Sequence, residues 1–322
     1  MLTPLAAAFL AAAVPAPTPT PQPAAASRPI AVGTGPATLH GTIVTPARPR
    51  AAAVIIAGSG PTNRDGNSPL GVSARPYALL ADALAPYGVA TLRYDKRGIA
   101  ESRGALTREE ELRFETGVAD ARAFASRLKA ETGLPCVWLI GHSEGALVAQ
   151  VAARDDPNVC GLVLVSGTGR PAAAILREQL AGPTLPEALR APALATLAEL
   201  EAGRPVAAPP PELAALFRPS VQPYLISWFR HDPAELIGKE RRPVLIVQGT
   251  TDLQAPMADA ERLRAAKPDA ELLVVNGMNH VLKLAPGDRT ANLATYADPA
   301  RPLAPALAQG VAAFLLRART AR

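Results

Sequence analysis

Aromatic side chains are scarce in this chain. Its 322 residues include two tryptophans, five tyrosines and six phenylalanines, 4% of the total, although 48% of the residues are hydrophobic. Alanine fills the gap, so the core must be built from small side chains with helices in close contact. Cysteine is rarer still, with Cys136 and Cys160 allowing one bridge at most. No excess of one charge stands out. The 33 Lys and Arg are spread among 28 Asp and Glu, the net charge is a modest +5, and no basic stripe interleaved with aromatics marks a nucleic-acid surface. The N-terminal apolar run, Leu5 to Val14, is too short to cross a bilayer. No internal repeat is evident. No His, Cys and Asp residues cluster at metal-ligand spacing, so neither a metal nor an organic cofactor is expected.

What the sequence does contain is Gly141-His142-Ser143-Glu144-Gly145, a Gly-x-Ser-x-Gly pentapeptide. It follows the apolar run Val137-Trp138-Leu139-Ile140 and precedes the Ala-rich stretch Ala146 to Ala153, which reads as a helix. Strand, sharp turn and helix form the setting in which this motif holds a serine on a strained elbow with its hydroxyl exposed. A serine hydroxyl is a poor nucleophile at neutral pH. It needs a base within hydrogen-bond reach and a third group to orient that base. Of the four histidines, His142 lies within the elbow with its side chain expected to point away from Ser143. His40 lies near the first predicted strand, and His231 in a Pro-rich helical insert. His280 remains, on a loop after the apolar run Glu271 to Val275. For the acid, the buried parallel strand predicted over Pro243 to Gln248 runs into Gly249-Thr250-Thr251-Asp252. Asp252 therefore falls at a strand's carboxyl end, where open α/β sheets build their sites. Asp259 and Asp269 are weaker rivals, and Asp252 could instead cap the helix that follows.

These residues resemble the α/β-hydrolase superfamily, and within it bacterial esterases of the dienelactone-hydrolase-like and serine-aminopeptidase-like kinds. The resemblance covers most of residues 35–320. It rests on Ala57-Gly58-Ser59-Gly60-Pro61 with Arg64-Asp65-Gly66-Asn67, Tyr94-Asp95-Lys96-Arg97-Gly98 with Ser102, the elbow, Gln248 to Asp252, and Asn279-His280. The order Ser143, Asp252, His280 is the superfamily's order. The chain departs from many members in carrying Ala57-Gly58 where they have His-Gly. The resemblance implies a mostly parallel central sheet with helices on both faces and a helical cap. It also implies an oxyanion hole formed by the backbone N–H of Glu144 and a second N–H from the loop after the third strand, with Ser59 preferred and Gly60 as the alternative. Asp95 and Arg97 read as structural, and Arg64 and Asp65 as an internal pair. In this fold the strands that begin at Cys136 and Cys160 are parallel neighbours, about 4.8 Å apart, so a Cys136–Cys160 disulfide is expected.

Thr168 to Arg242 contains no predicted strand and reads as the helical cap, dividing the core into 27–167 and 243–322. Val221 to Phe229 concentrates aromatics in an otherwise aromatic-poor chain, and Tyr224 and Trp228 are candidates to contact substrate. Residues 1–26 read as a signal peptide with an h-region at 5–14, a proline-alternating run over 15–23 and a small-residue cleavage site at Ala24-Ala25-Ala26. Its n-region lacks Lys and Arg. Export to the periplasm or medium is expected, with no membrane anchor after processing, and a cytoplasmic enzyme with a disordered tail is the alternative. The implied activity is hydrolysis of small-molecule carboxylic esters through Ser143, His280 and Asp252. Aminopeptidase, amidase or acyl-transfer chemistry could run on the same triad, and an inactive binding module is disfavoured by the intact triad.

Overall fold

The computed structural model describes residues 25–183 and 185–320. The expected leader lies outside these residues except for Ala25 and Ala26. Eight strands form one sheet: β1 (Ala26–Val32), β2 (Leu39–Thr45), β3 (Ala51–Ile56), β4 (Val89–Tyr94), β5 (Val137–His142), β6 (Val159–Val165), β7 (Val244–Gly249) and β8 (Glu271–Val275). Their order is β1-β2-β4-β3-β5-β6-β7-β8. β2 runs antiparallel to both its neighbours, and every pairing from β4 onward is parallel. Strands β3 to β7 are buried along their whole length, which is why they read as continuous apolar runs and not as alternation.

The two faces of the sheet bury different cores. Ala52, Val54, Ile56 and Leu139 point one way, and Ala53, Ile55, Trp138 and Ile140 the other, as the two-residue strand period requires. In chain order the helices are α1 (Pro76–Leu84), α2 (Phe114–Thr132), α3 (Glu144–Ala153), α4 (Ala172–Ala181), α5 (Glu187–Glu201), α6 (Ala214–Phe217), α7 (Gln222–Trp228), α8 (Pro233–Gly238), α9 (Met257–Ala266), α10 (Arg289–Ala294) and α11 (Pro305–Thr320). Residues of α2, α3 and α9 cover the first face, and residues of α1 and α11 cover the second. α2 stops at Gly133, whose φ of 65° is left-handed and therefore suits glycine. Apolar residues at helical spacing, among them Val118, Ala121, Phe124 and Leu128, predict a helix over Glu109 to Thr132. The helix begins later, at Phe114, after a short 3₁₀ turn over Glu109–Glu111.

Helices α4 to α8 occupy the strandless segment 168–242. They carry a small core of their own, with Ala173, Leu180, Ala193, Leu197, Phe217 and Leu225 buried together. Cys136 and Cys160 are bridged with their Cα atoms 5.3 Å apart, at the ends of β5 and β6 away from the elbow. No helix among the described residues is long and apolar enough to cross a membrane.

Candidate active site

The elbow joins β5 to α3. A side chain at Gly141 would lie 2.1 Å from the Gly145 carbonyl oxygen, and one at Gly145 would lie 2.4 Å from the carbonyl oxygen of Ile56 on the neighbouring strand. Both positions therefore have to be glycine. Ser143 between them has φ 55° and ψ −122°, a conformation that costs a non-glycine residue about 1–3 kcal/mol and must be enforced by its surroundings. The bond from its N–H to the Val165 carbonyl, 2.9 Å, is part of that enforcement. Its hydroxyl makes no hydrogen bond among the described residues and opens on a cavity of about 300 Å³ shared with His280.

His280 stands on the loop after β8, and Asp252 on the loop after β7. Nδ1 of His280 lies 3.0 and 2.9 Å from the two oxygens of Asp252. An ionised carboxylate can only accept, so Nδ1 carries the proton and Nε2 keeps its lone pair. Asp252 is fully buried. Burial works against its ionisation, but the adjacent His280 and the N–H groups of Ala255 and Gln254 more than compensate and hold its carboxyl down to about 2. Those two N–H bonds, 3.0 and 2.8 Å, form a turn ahead of α9. The N-cap position of α9 is Pro256, so Asp252 does not cap that helix. Asp259 is engaged elsewhere, with Arg170. Asp269 pairs with Lys267.

The loop after β3 runs past the elbow. A methyl group on Gly58 would sit 3.1 Å from Ser143 Cβ. Among the described residues, the N–H groups of Ser59, Gly60 and Glu144 have no hydrogen-bond acceptor. Three unspent donors thus lie on the two segments that meet at Ser143. Both oxyanion positions expected from the sequence, Ser59 and Glu144, are among them.

A model of the serine aminopeptidase S33 family matches residues 70–203. No curated protein matches the chain. Among solved structures, it is similar to Est1E from Butyrivibrio proteoclasticus at 18% identity and a TM-score of 0.57, over 91% of this chain and 99% of that one. It is similar to the esterase domain of a Rhodothermus marinus protein at 17% identity and a TM-score of 0.52, over 91% and 98%. The α/β-hydrolase GrgF from Penicillium sp. sh18 aligns at 19% identity and a TM-score of 0.55, over 79% and 91%. The chain therefore shares the fold of these α/β-hydrolase and esterase structures.

A second, larger cavity of about 440 Å³ lies on the other side of the elbow. Ile56, Leu112, Phe114 and Val148 give it an apolar wall, and Lys96, Glu144 and Tyr224 project polar groups into it. Tyr224, from α7, donates its hydroxyl to Glu144 Oε1 at 2.5 Å. Trp228 lines neither of these cavities; its ring packs beside Tyr224 and Phe229, between the cap core and the main core. Arg64 and Asp65 are internal, though not to each other. Arg64 pairs with Asp95 and Glu101, and Asp65 with Arg93. Arg97 grips Asp120 of α2 through two nitrogens, a structural contact as expected.

Two further residues beside the elbow escape sequence reasoning. His142 does turn away from the Ser143 hydroxyl, but it is not idle. Its Nε2 lies 2.9 Å from the backbone oxygen of His280, an acceptor, so Nε2 bears the proton. Its Nδ1 then accepts from the Tyr77 hydroxyl at 2.9 Å, and Tyr77 in turn accepts the Gly58 N–H at 3.0 Å. Burial first, and the neighbouring His280 second, push His142 down to about 3, so it is neutral at any ordinary pH. Lys96 is the other: its Nζ donates to the Gly58 carbonyl at 2.7 Å. No three His, Cys, Asp or Glu side chains converge to hold a metal among the described residues.

Proposed function

We propose that this hydrolase cleaves carboxylic esters of small or medium hydrophobic acids by acyl transfer to Ser143. The observation that carries the reading is the shared cavity: the unbonded Ser143 hydroxyl and the Asp252-held His280 ring open on the same space, beside three unspent N–H donors. Nε2 of His280 takes the hydroxyl proton as Oγ adds to the ester carbonyl. The developing oxyanion is received by the N–H groups of Ser59 and Glu144. His280 then returns the proton to the departing alkoxide, leaving an acyl-enzyme, and the same nitrogen activates the water that releases the acid.

Because His280 must reach the leaving oxygen, the alcohol occupies the cavity that His280 lines, with Gln254, Val281 and Tyr296. The acyl group extends to the opposite side, into the more apolar cavity beside Glu144. Tyr224 thus contacts the acyl group, and Trp228 supports the cap behind it. The cap spans 168–242 and shapes that acyl side. The disulfide favours an oxidising compartment, in keeping with removal of residues 1–26 on export.

The aminopeptidase reading is favoured by the S33 family match. It would require an acidic anchor for a free ammonium. Glu144, within the elbow, already accepts the Tyr224 hydroxyl, and its cavity is lined by Lys96, Arg97, Arg113 and Arg218 against Glu144, Glu109 and Asp120. A cation entering there meets more positive charge than negative. The deciding experiment is a ladder of p-nitrophenyl esters, run with aminoacyl p-nitroanilides on wild type and Ser143→Ala. Ester turnover at least ~10³-fold above that of Ser143→Ala is expected. Faster cleavage of the anilides than of any ester would favour the peptidase, and an unaffected Ser143→Ala would rule out the nucleophile.

A further inference from the structure

We propose that Lys96 is a positioning residue that, together with Tyr77, clamps the Gly58–Ser59 peptide so that the Ser59 N–H faces the oxyanion. This inference rests on the hydrolase reading above and adds to it a part of the machinery outside the triad.

Gly58 is held at both ends. Its N–H donates to Tyr77 Oη at 3.0 Å and its carbonyl accepts from Lys96 Nζ at 2.7 Å. A trans peptide is planar, so the carbonyl of residue 58 and the N–H of residue 59 point in opposite directions. Fixing the oxygen on Lys96 therefore fixes where the Ser59 N–H aims. The next two carbonyls are also occupied: that of Ser59 accepts from Thr62 Oγ1 at 3.0 Å, and that of Gly60 from the Thr62 N–H at 2.9 Å. Three successive carbonyls are thus committed, while the N–H groups of Ser59 and Gly60 remain without acceptors among the described residues. Backbone arranged in this way forms a concavity for an anion. The ammonium adds polarity, since a cation on the carbonyl draws electrons through the amide and makes the N–H a stronger donor.

The turn after β4 is built to present Lys96. Asp95 on one side is buried and accepts the Arg64 N–H at 2.7 Å, and Arg97 on the other is locked to Asp120. Lys96 itself has no ion-pair partner within 4.0 Å among the described residues. Burial pulls its ammonium below the usual lysine value, an effect partly offset by the Glu144 carboxylate. A part-buried cation with one backbone acceptor costs stability that an apolar chain of equal length would not. A residue kept only for stability has no reason to be lysine here.

That cost supplies a readout a structural role would not give. Wild type, Ser143→Ala, Lys96→Met, Lys96→Arg and Tyr77→Phe are compared for kcat and KM on p-nitrophenyl butyrate and for melting temperature. Losing the aim of one oxyanion donor should lower kcat of Lys96→Met by about 10²-fold, with KM within about twofold of wild type. Its melting temperature should be equal or higher. Lys96→Arg, which keeps a cationic donor, should recover about tenfold of the loss, and Tyr77→Phe should lower kcat by about tenfold. The clamp is overturned if Lys96→Met keeps kcat within about threefold of wild type, or if arginine rescues no better than methionine. Should Lys96→Met show no cooperative melt, the arginine and Tyr77→Phe variants decide on the same criteria. A wild type inactive on every ester, or equalled by Ser143→Ala, overturns the hydrolase reading and the clamp with it. An active wild type silenced by Ser143→Ala, beside an unaffected Lys96→Met, overturns the clamp alone.

Discussion

Asp252 holds His280 through Nδ1, and the tautomer follows from the carboxylate's inability to donate. Asp252→Asn keeps the shape but offers an N–H, so the imidazole can turn its protonated nitrogen toward Ser143. On the proposed mechanism kcat should fall by about 10⁴-fold with little change in KM, measured on the best ester of the ladder. A fall below tenfold would mean that His280 is oriented by something else. His142 makes a different prediction, about stability. Its value drops from 6.5 to about 3 on folding, so between those limits the unfolded chain binds a proton that the folded chain does not. The contribution is complete above pH 6.5 and declines as pH falls, by about 1.4 kcal/mol per unit in the middle of that window. Urea unfolding of wild type at pH 7, 6 and 5 should show this decline, and His142→Gln should show a flatter one. Equal slopes would refute the account. Ser143 and Asp252 were singled out because each follows an apolar strand run through a glycine-containing turn, and His280 because the other three histidines are badly placed. Lys96 and the Tyr77–His142 pair were not. Their roles depend on bonds to residues 58 and 280, and no local pattern in the sequence encodes such distant partners.

Elements follow from pattern where burial is complete. The strands over residues 51–56, 89–94, 137–142, 159–165 and 244–249 are buried along their whole length and mostly apolar, and the run at Pro243 to Gln248 was legible as a buried parallel strand. β1 was not, since only Ile30 of its seven residues is buried and its neighbours resemble a polar linker. Its place depends on pairing with β2, from Ala26 opposite Thr45 to Val32 opposite Leu39. The first turns of the predicted helix at Glu109 became a 3₁₀ turn followed by extended Leu112 and Arg113, because the Phe114 N–H donates to Ser227 Oγ of α7 at 2.8 Å and α2 begins there. The disulfide was legible through strand adjacency. It closes a loop of 24 residues, for which chain entropy gives about 3 kcal/mol. A Cys136→Ala, Cys160→Ala double variant should lose about 3 kcal/mol of unfolding free energy in urea, with kcat for the proposed ester hydrolysis unchanged, since the bridge lies at the far end of the sheet from Ser143. A variant as stable as wild type would show that the closed loop adds nothing.

At the scale of the whole molecule, the sheet's strand ends and the helical segment 168–242 together define one reaction space with two arms. The helical segment is tied to the core at separate points: Tyr224 to Glu144, Ser227 to the start of α2, and Arg218 with Ser220 to Glu109. These ties hold the larger arm open without substrate, so acyl-chain preference should be set by its walls and not by a closing motion. Val221 lines that arm, whereas Ser143 and His280 line the other. Val221→Trp should fill part of the roughly 440 Å³. Each methylene excluded from an apolar pocket is worth about 1–3 kcal/mol, so kcat/KM for octanoate and longer esters should fall by about tenfold or more while acetate stays within about twofold. The whole ladder should shift toward short acids with Tm held. If instead the variant loses long and short acyl groups equally but now discriminates among alcohols, the arms have been assigned the wrong way round, and the leaving group must depart past Tyr224.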